Sequence, residues 1–233
     1  MGDVAEKPDY LGHRKRLRER FLAGGPTALA DYELLELLLS QAKPRGDVKP
    51  LAKALIKRFG SFSRALAANP DALAEIDGMG EASIVALKTV QAAALLMQQQ
   101  DLKQQPVLAS WKAVLDYCHS VMAHEPIEQF RLLFLDMKNA LIADEKQSQG
   151  TVNHTPVYVR EVAKRALALD ASAVIMAHNH PSGDPSPSRD DIEMTKLVKT
   201  ALEKIGIQLH DHIIVGRKGH VSLRSLGYLD GAS

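Results

Sequence analysis

The sequence predicts a small all-helical region followed by an α/β domain, and three observations carry that prediction. Apolar residues recur only at helical spacing through residues 1–97. A polar tract, Gln98 to Pro106, then interrupts the pattern. Beyond it, strand-like runs alternate with helical ones, as layered α/β domains require. The boundary is placed at the tract, giving residues 1–105 to the helical part and 106–233 to the α/β part.

In the first part, His13 to Phe21 is a basic helix that crowds Arg14, Lys15, Arg16, Arg18 and Arg20. Leu34, Leu35, Leu37, Leu38 and Leu39 follow Asp31, read as an N-cap, and form a broad apolar face. Leu51, Leu55 and Ile56 repeat at helical spacing until Gly60, which suits a C′ position. Asn69-Pro70 reads as an N-cap followed by proline at N1, opening a helix over 71–76. Gly78-Met79-Gly80 precedes a long helix from Glu81 to about Gln98, and the tract that follows reads as a linker.

In the second part, Ser110 caps a helix over 111–122. Phe130, Leu132, Phe134 and Leu141 belong to two strands joined near Lys138-Asn139. Residues 160–169 read as a helix. Ala173 to Ala177 is a continuous apolar run, as expected of a strand buried on both faces. A proline-rich loop spans Pro181 to Pro187, Ser188 to Ile205 is a helix ended by Gly206, and Ile207 to Val215 is a further strand.

Net charge is +1, but residues 1–60 carry twelve Lys+Arg against eight Asp+Glu, a surplus that points towards a polyanion. The single cysteine, Cys118, excludes an intramolecular disulfide framework and suits a reducing compartment. The N-terminus lacks the basic-then-apolar pattern of a signal peptide, and no apolar run reaches the roughly 18 residues of a membrane span. The expectation is a cytoplasmic protein with no membrane association.

The chemistry concentrates in residues 178–191. His178 and His180 lie two apart at the end of the buried strand, so their imidazoles share one face and can converge on one ion. Zinc accepts imidazole nitrogen and carboxylate oxygen, and a catalytic zinc keeps three protein ligands with one open position. Asp191, in the first turn of the following helix, supplies the third. Ser188 and Asp191 also read as a capping box, a role compatible with ligation.

His-x-His, seven residues, Ser, two residues, Asp is the JAMM signature, filled by His178, His180, Ser188 and Asp191. With Gly150-Thr151 upstream and Asp211-His212-Ile213-Ile214-Val215-Gly216 downstream, the chain resembles the RadC family over nearly its whole length. The resemblance implies a mixed-sheet JAB/MPN (JAMM) domain behind a helix-hairpin-helix-like domain, one Zn2+ per chain, and hydrolysis of a peptide or isopeptide bond in an unknown protein or peptide. It implies a water-activating glutamate at the start of an early strand. Glu128, ahead of Phe130, fits best, with Glu145 and Glu125 as rivals. Ser188 would help hold the oxyanion. Asn179 departs from the Ser or Thr usual in eukaryotic JAMM peptidases. His210 and His212 read either as supports to the ligands or as a partly buried structural pair, His154 as a cleft residue and Cys118 as a core thiol.

Gly78-Met79-Gly80 resembles the turn of a helix-hairpin-helix element, whose backbone amides contact a DNA phosphate without reading sequence. Such a turn between packed helices needs no ligand, and Asp77 and Glu81 make this one locally acidic. The alternative function is therefore a DNA-associated, repair-linked protein with a structural or idle zinc site.

Overall fold

The computed structural model describes residues 9–104, 106–107, 109–149 and 158–229. Gly150, Thr151 and His154 lie outside the described residues. The chain divides into two compact units, Met1–Ala94 and Leu95–Ser233.

The first unit is helical: α1 (Asp9–Gly24), α2 (Asp31–Ala42), α3 (Lys49–Phe59), α4 (Phe62–Ala67), α5 (Pro70–Ala74) and the start of α6 (Glu81–Gln104). Leu35, Leu39, Leu51, Leu55, Leu73 and Leu87 form its core. Gly60 ends α3 in the left-handed region, and the Asn69 side chain accepts from Asp71 N at the start of α5. Asp31 is not the cap of α2. Ala30 holds that position, and Asp31 Oδ2 instead accepts from Phe62 N at 2.8 Å. The basic stretch of α1 is partly internal: the Arg14 guanidinium donates to the Pro44 and Gly46 carbonyls at 2.6 Å, while Arg20 pairs with Glu33. α6 continues through the polar tract to Gln104, because Leu102 buries itself in the core of the second unit.

The second unit is a five-stranded mixed sheet of order β2-β1-β3-β4-β5 between two helical layers. Its strands are β1 (Gln129–Leu135), β2 (Leu141–Gln149), β3 (Ala173–Asn179), β4 (Gln208–Gly216) and β5 (Gly219–Ser222). The helices are α7 (Trp111–Met122), α8 (Val159–Ala168) and α9 (Arg189–Glu203). β3 pairs antiparallel with β1 and parallel with β4, and it is buried along its whole length. One face of the sheet packs on α7 through Leu133, Ile175, Ala177, Ile213 and Val215. The other packs on α8 and α9 through Phe130, Leu132, Phe134, Val174, Met176 and Ile214. The short β5 has no counterpart in the sequence reading, since a four-residue edge strand carries too little apolar pattern.

A bulge interrupts the β3–β4 ladder: Val174 faces Leu209, but Ile175 faces Asp211. One extra residue, His210, shifts the alternation of β4, so that Leu209 and His212 both turn to the α8–α9 face.

A buried ion pair joins the α7 layer to the sheet. Arg131 donates to both oxygens of Asp144 at 3.0 and 2.9 Å, and the Tyr117 hydroxyl donates to the same carboxylate. Removing the cation strands a fully buried carboxylate. Arg131→Ala should therefore lower unfolding stability by about 3–5 kcal/mol, seen as a lower urea midpoint at unchanged slope.

Candidate metal centre

Three donors meet at the C-terminal end of β3. His178 and His180 project to the same face, with Nε2 atoms 3.0 Å apart. Asp191, in the first turn of α9, reaches His178 Nε2 with Oδ1 at 3.2 Å and His180 Nε2 with Oδ2 at 3.5 Å. No other group of three such donors gathers among the described residues. A tetrahedral zinc with bonds of about 2.0–2.1 Å has ligand–ligand edges of about 3.3–3.4 Å. The two imidazole nitrogens and one carboxylate are a donor set that zinc accepts, and they lie close enough together to face one ion.

The surroundings fix which nitrogen of each ring faces the centre. His178 Nδ1 lies 2.7 Å from His212 Nε2, and His212 Nδ1 contacts Thr195 Oγ1, which donates to the Asp191 carbonyl. The directions agree if His178 Nδ1–H donates to His212, and His212 Nδ1–H donates to Thr195. His178 Nε2 is then left with a lone pair for an ion. Burial, followed by the neighbouring His178, holds the His212 pKa well below the ordinary histidine value, so this buffer stays neutral. His180 is held separately, its Nδ1 donating to the Asp184 carbonyl at 2.9 Å.

The loop bearing Asp184 is clamped to the end of β4 and the turn that follows it. Arg217 donates to the Pro181 and Ser182 carbonyls at 2.9 and 2.8 Å. Gly183 and Gly216 touch backbone to backbone: a Cβ on Gly216 would sit 2.4 Å from Gly183 O. Gly183 itself has φ +90°, which disfavours any side chain there.

At the start of α9, the capping box forms as the sequence pattern suggests. Ser188 Oγ accepts from Asp191 N at 3.1 Å and donates to Asp191 Oδ2 at 2.6 Å. Burial opposes ionisation of Asp191, but the facing His178 and His180 imidazoles and the Ser188 hydroxyl hold its pKa below the carboxylate range. The three glutamates differ in their surroundings. Glu145 is bound by Arg165 at 2.8–2.9 Å, and Glu125 accepts from the Gln129 side chain. Glu128 is half-buried, and its charge acts on His180.

His210 and His212 do not act as a pair. The bulge sends His210 to the opposite end of the sheet, where its Nε2 meets Asn139 Oδ1 at 2.6 Å beside an open cavity of about 530 Å³. Cys118 is buried, which pushes its thiol up to about 12 and makes it a core residue. Gly78, with φ +85°, Met79 and Gly80 form the turn into α6 in the other unit.

Comparison with known proteins agrees with this architecture. Residues 108–228 match the RadC-like JAB domain family, and residues 10–85 match the UPF0758 N-terminal family. A UPF0758 protein of Ruegeria pomeroyi is 56% identical over 223 residues, covering 95% of this chain and all of the relative. One from Rhodobacter capsulatus is 59% identical over 213 residues, covering 91% of this chain and all of that protein. The chain belongs to the RadC family. Its JAB domain places the signature residues at the end of the central strand and at the start of the helix that follows.

The contact between His180 and Asp191 predicts a directional pH dependence for any metal bound at this site. Hydrogen bonding to Asp191 raises the His180 pKa above the ordinary value of about 6.5. A metal must displace that proton, so apparent zinc affinity should fall as pH drops through neutrality and level off at alkaline pH. Competition with a zinc-chelating dye between pH 6 and 8.5 measures it. An affinity that rises on acidification contradicts the assignment.

Proposed function

We propose that this protein is a zinc-dependent hydrolase that cleaves a peptide or isopeptide bond. The observation that carries the reading is the convergence of His178, His180 and Asp191, with the charge of Glu128 acting on the same centre. Zinc, when bound, would polarise the scissile carbonyl and acidify a water towards a pKa of about 7. Glu128 would take the proton of that water and pass it to the leaving amine. Ser188, beside Asp191 at the start of α9, would turn its one hydroxyl proton from the Asp191 carboxylate to the oxyanion. His212 and the Asp184 carbonyl would keep the two imidazoles oriented throughout. A reducing, cytoplasmic setting fits the lone buried thiol, and among the described residues no helix is long and apolar enough to cross a membrane.

A second reading, sequence-independent DNA contact through the first unit, draws on the Gly78 turn and on the open space around Gly80 at the N-terminus of α6. It is compatible with the first, since such a contact would bring a hydrolase to a DNA-bound protein. Retention of the full chain on duplex DNA that weakens steeply between 50 and 200 mM salt, on the scale of phosphate contacts, would support it, and no retention at about 50 mM would remove it.

Elemental mass spectrometry of the purified protein tests the main reading. The expected result is one zinc per chain, lost in His180→Ala and kept in Glu128→Gln. Hydrolysis of a peptide or isopeptide library should then fall about 10²–10⁴-fold in Glu128→Gln. A protein that takes up no zinc on reconstitution would falsify the proposal.

A further inference from the structure

Between the two histidines lies Asn179, which alternation turns to the opposite face of the sheet. The residue is only 2% exposed, an expensive place for a primary amide unless every hydrogen bond is made. Its partners are all backbone atoms of one short segment. Oδ1 accepts from Gln129 N at 2.8 Å, and Nδ2 donates to the carbonyls of Ile127 and Glu125, both at 3.3 Å.

Two of those atoms bracket a single residue. The Ile127 carbonyl belongs to the peptide bond before Glu128, and Gln129 N to the peptide bond after it. The main-chain ladder between β1 and β3 ends at the Phe130–His178 pair, so Asn179 extends it by one side-chain rung. The chain entering β1 is thereby tied to the strand that carries both histidines. The chemistry demands an amide: a hydroxyl has one proton and cannot serve two carbonyls while accepting from an N–H.

Building on the hydrolase reading, we infer that Asn179 is the positioning residue for Glu128. It grips the peptide groups on both sides of Glu128 and so sets the height of that carboxylate above the His178–His180–Asp191 centre. It ligates nothing itself and lies on the face away from the ion. The departure at Asn179 from the Ser or Thr of the eukaryotic enzymes thus acquires a mechanical meaning.

The test uses the full chain loaded with cobalt(II), whose visible absorption reports the ligand environment without requiring a substrate. Absorption is followed against pH for wild type, Glu128→Gln, Asn179→Ala and the double variant, with metal content measured on each. The expected result is one cobalt per chain throughout, with the midpoint moving in the same direction in both single variants. Asn179→Ala should then add nothing in the Glu128→Gln background, the non-additivity of two changes acting through one group. Exchange of the Gln129 amide should also accelerate about fivefold in Asn179→Ala, in line with one lost hydrogen bond. Asn179→Asp, which keeps the acceptor for Gln129 and loses both donors, is nearly isosteric and is read instead if the alanine variant does not fold. A shift in Glu128→Gln with a wild-type profile in Asn179→Ala overturns the inference and leaves the hydrolase reading standing. Lost cobalt, or an additive shift in the double variant, also overturns it by showing that Asn179 acts on the ligands. No shift in Glu128→Gln removes Glu128 from the centre, and the inference falls with it.

Discussion

One extra residue in β4 governs the candidate centre. Side chains on a strand alternate strictly, so an unbroken register would turn Leu209 and His212 to opposite faces of the sheet. The bulge at His210 puts both on the side of α9. His212 then lies under Phe130 and against His178, in a space dry enough to keep it neutral. From there a run of hydrogen bonds passes through Thr195 to the carbonyl of Asp191. The strand that presents the histidines and the helix that presents the carboxylate are thus joined behind the centre as well as at it. Register, tautomer and ligand orientation follow from one backbone irregularity.

The remaining supports work at different ranges. Arg217 and the Gly183–Gly216 contact hold the loop that orients His180. Asn179 holds the segment that carries Glu128. The Arg131–Asp144–Tyr117 cluster ties α7 to the sheet from the other layer. Each support uses a backbone carbonyl or a fully paired charge, which is what a buried polar group requires if it is to add rigidity without a large desolvation cost.

What was legible in the sequence was local. The buried run ending in His-x-His needed only strand alternation, and the Ser188–Asp191 pattern announced both a helix start and a third donor. Gly60 and Asn69-Pro70 carried their capping roles in their own chemistry. What escaped depended on contacts between distant segments. Asp31 looked like a cap, but its carboxylate serves Phe62 while Glu33 reaches back to Ala30 N. The tract around Gln98 looked like a break because Leu102, its one apolar residue, finds a core made by other elements. The divergence of His210 and His212 was hidden because nothing local in Leu209-His210-Asp211 declares a bulge. The partners of two of the glutamates, Arg165 for Glu145 and Gln129 for Glu125, were likewise hidden, since no spacing rule connects them.

Asp191 serves two masters: it closes the first turn of α9 against Ser188, and it faces both imidazoles. A change at Asp191 therefore cannot touch one duty alone, because it disturbs the start of a helix and the candidate centre together.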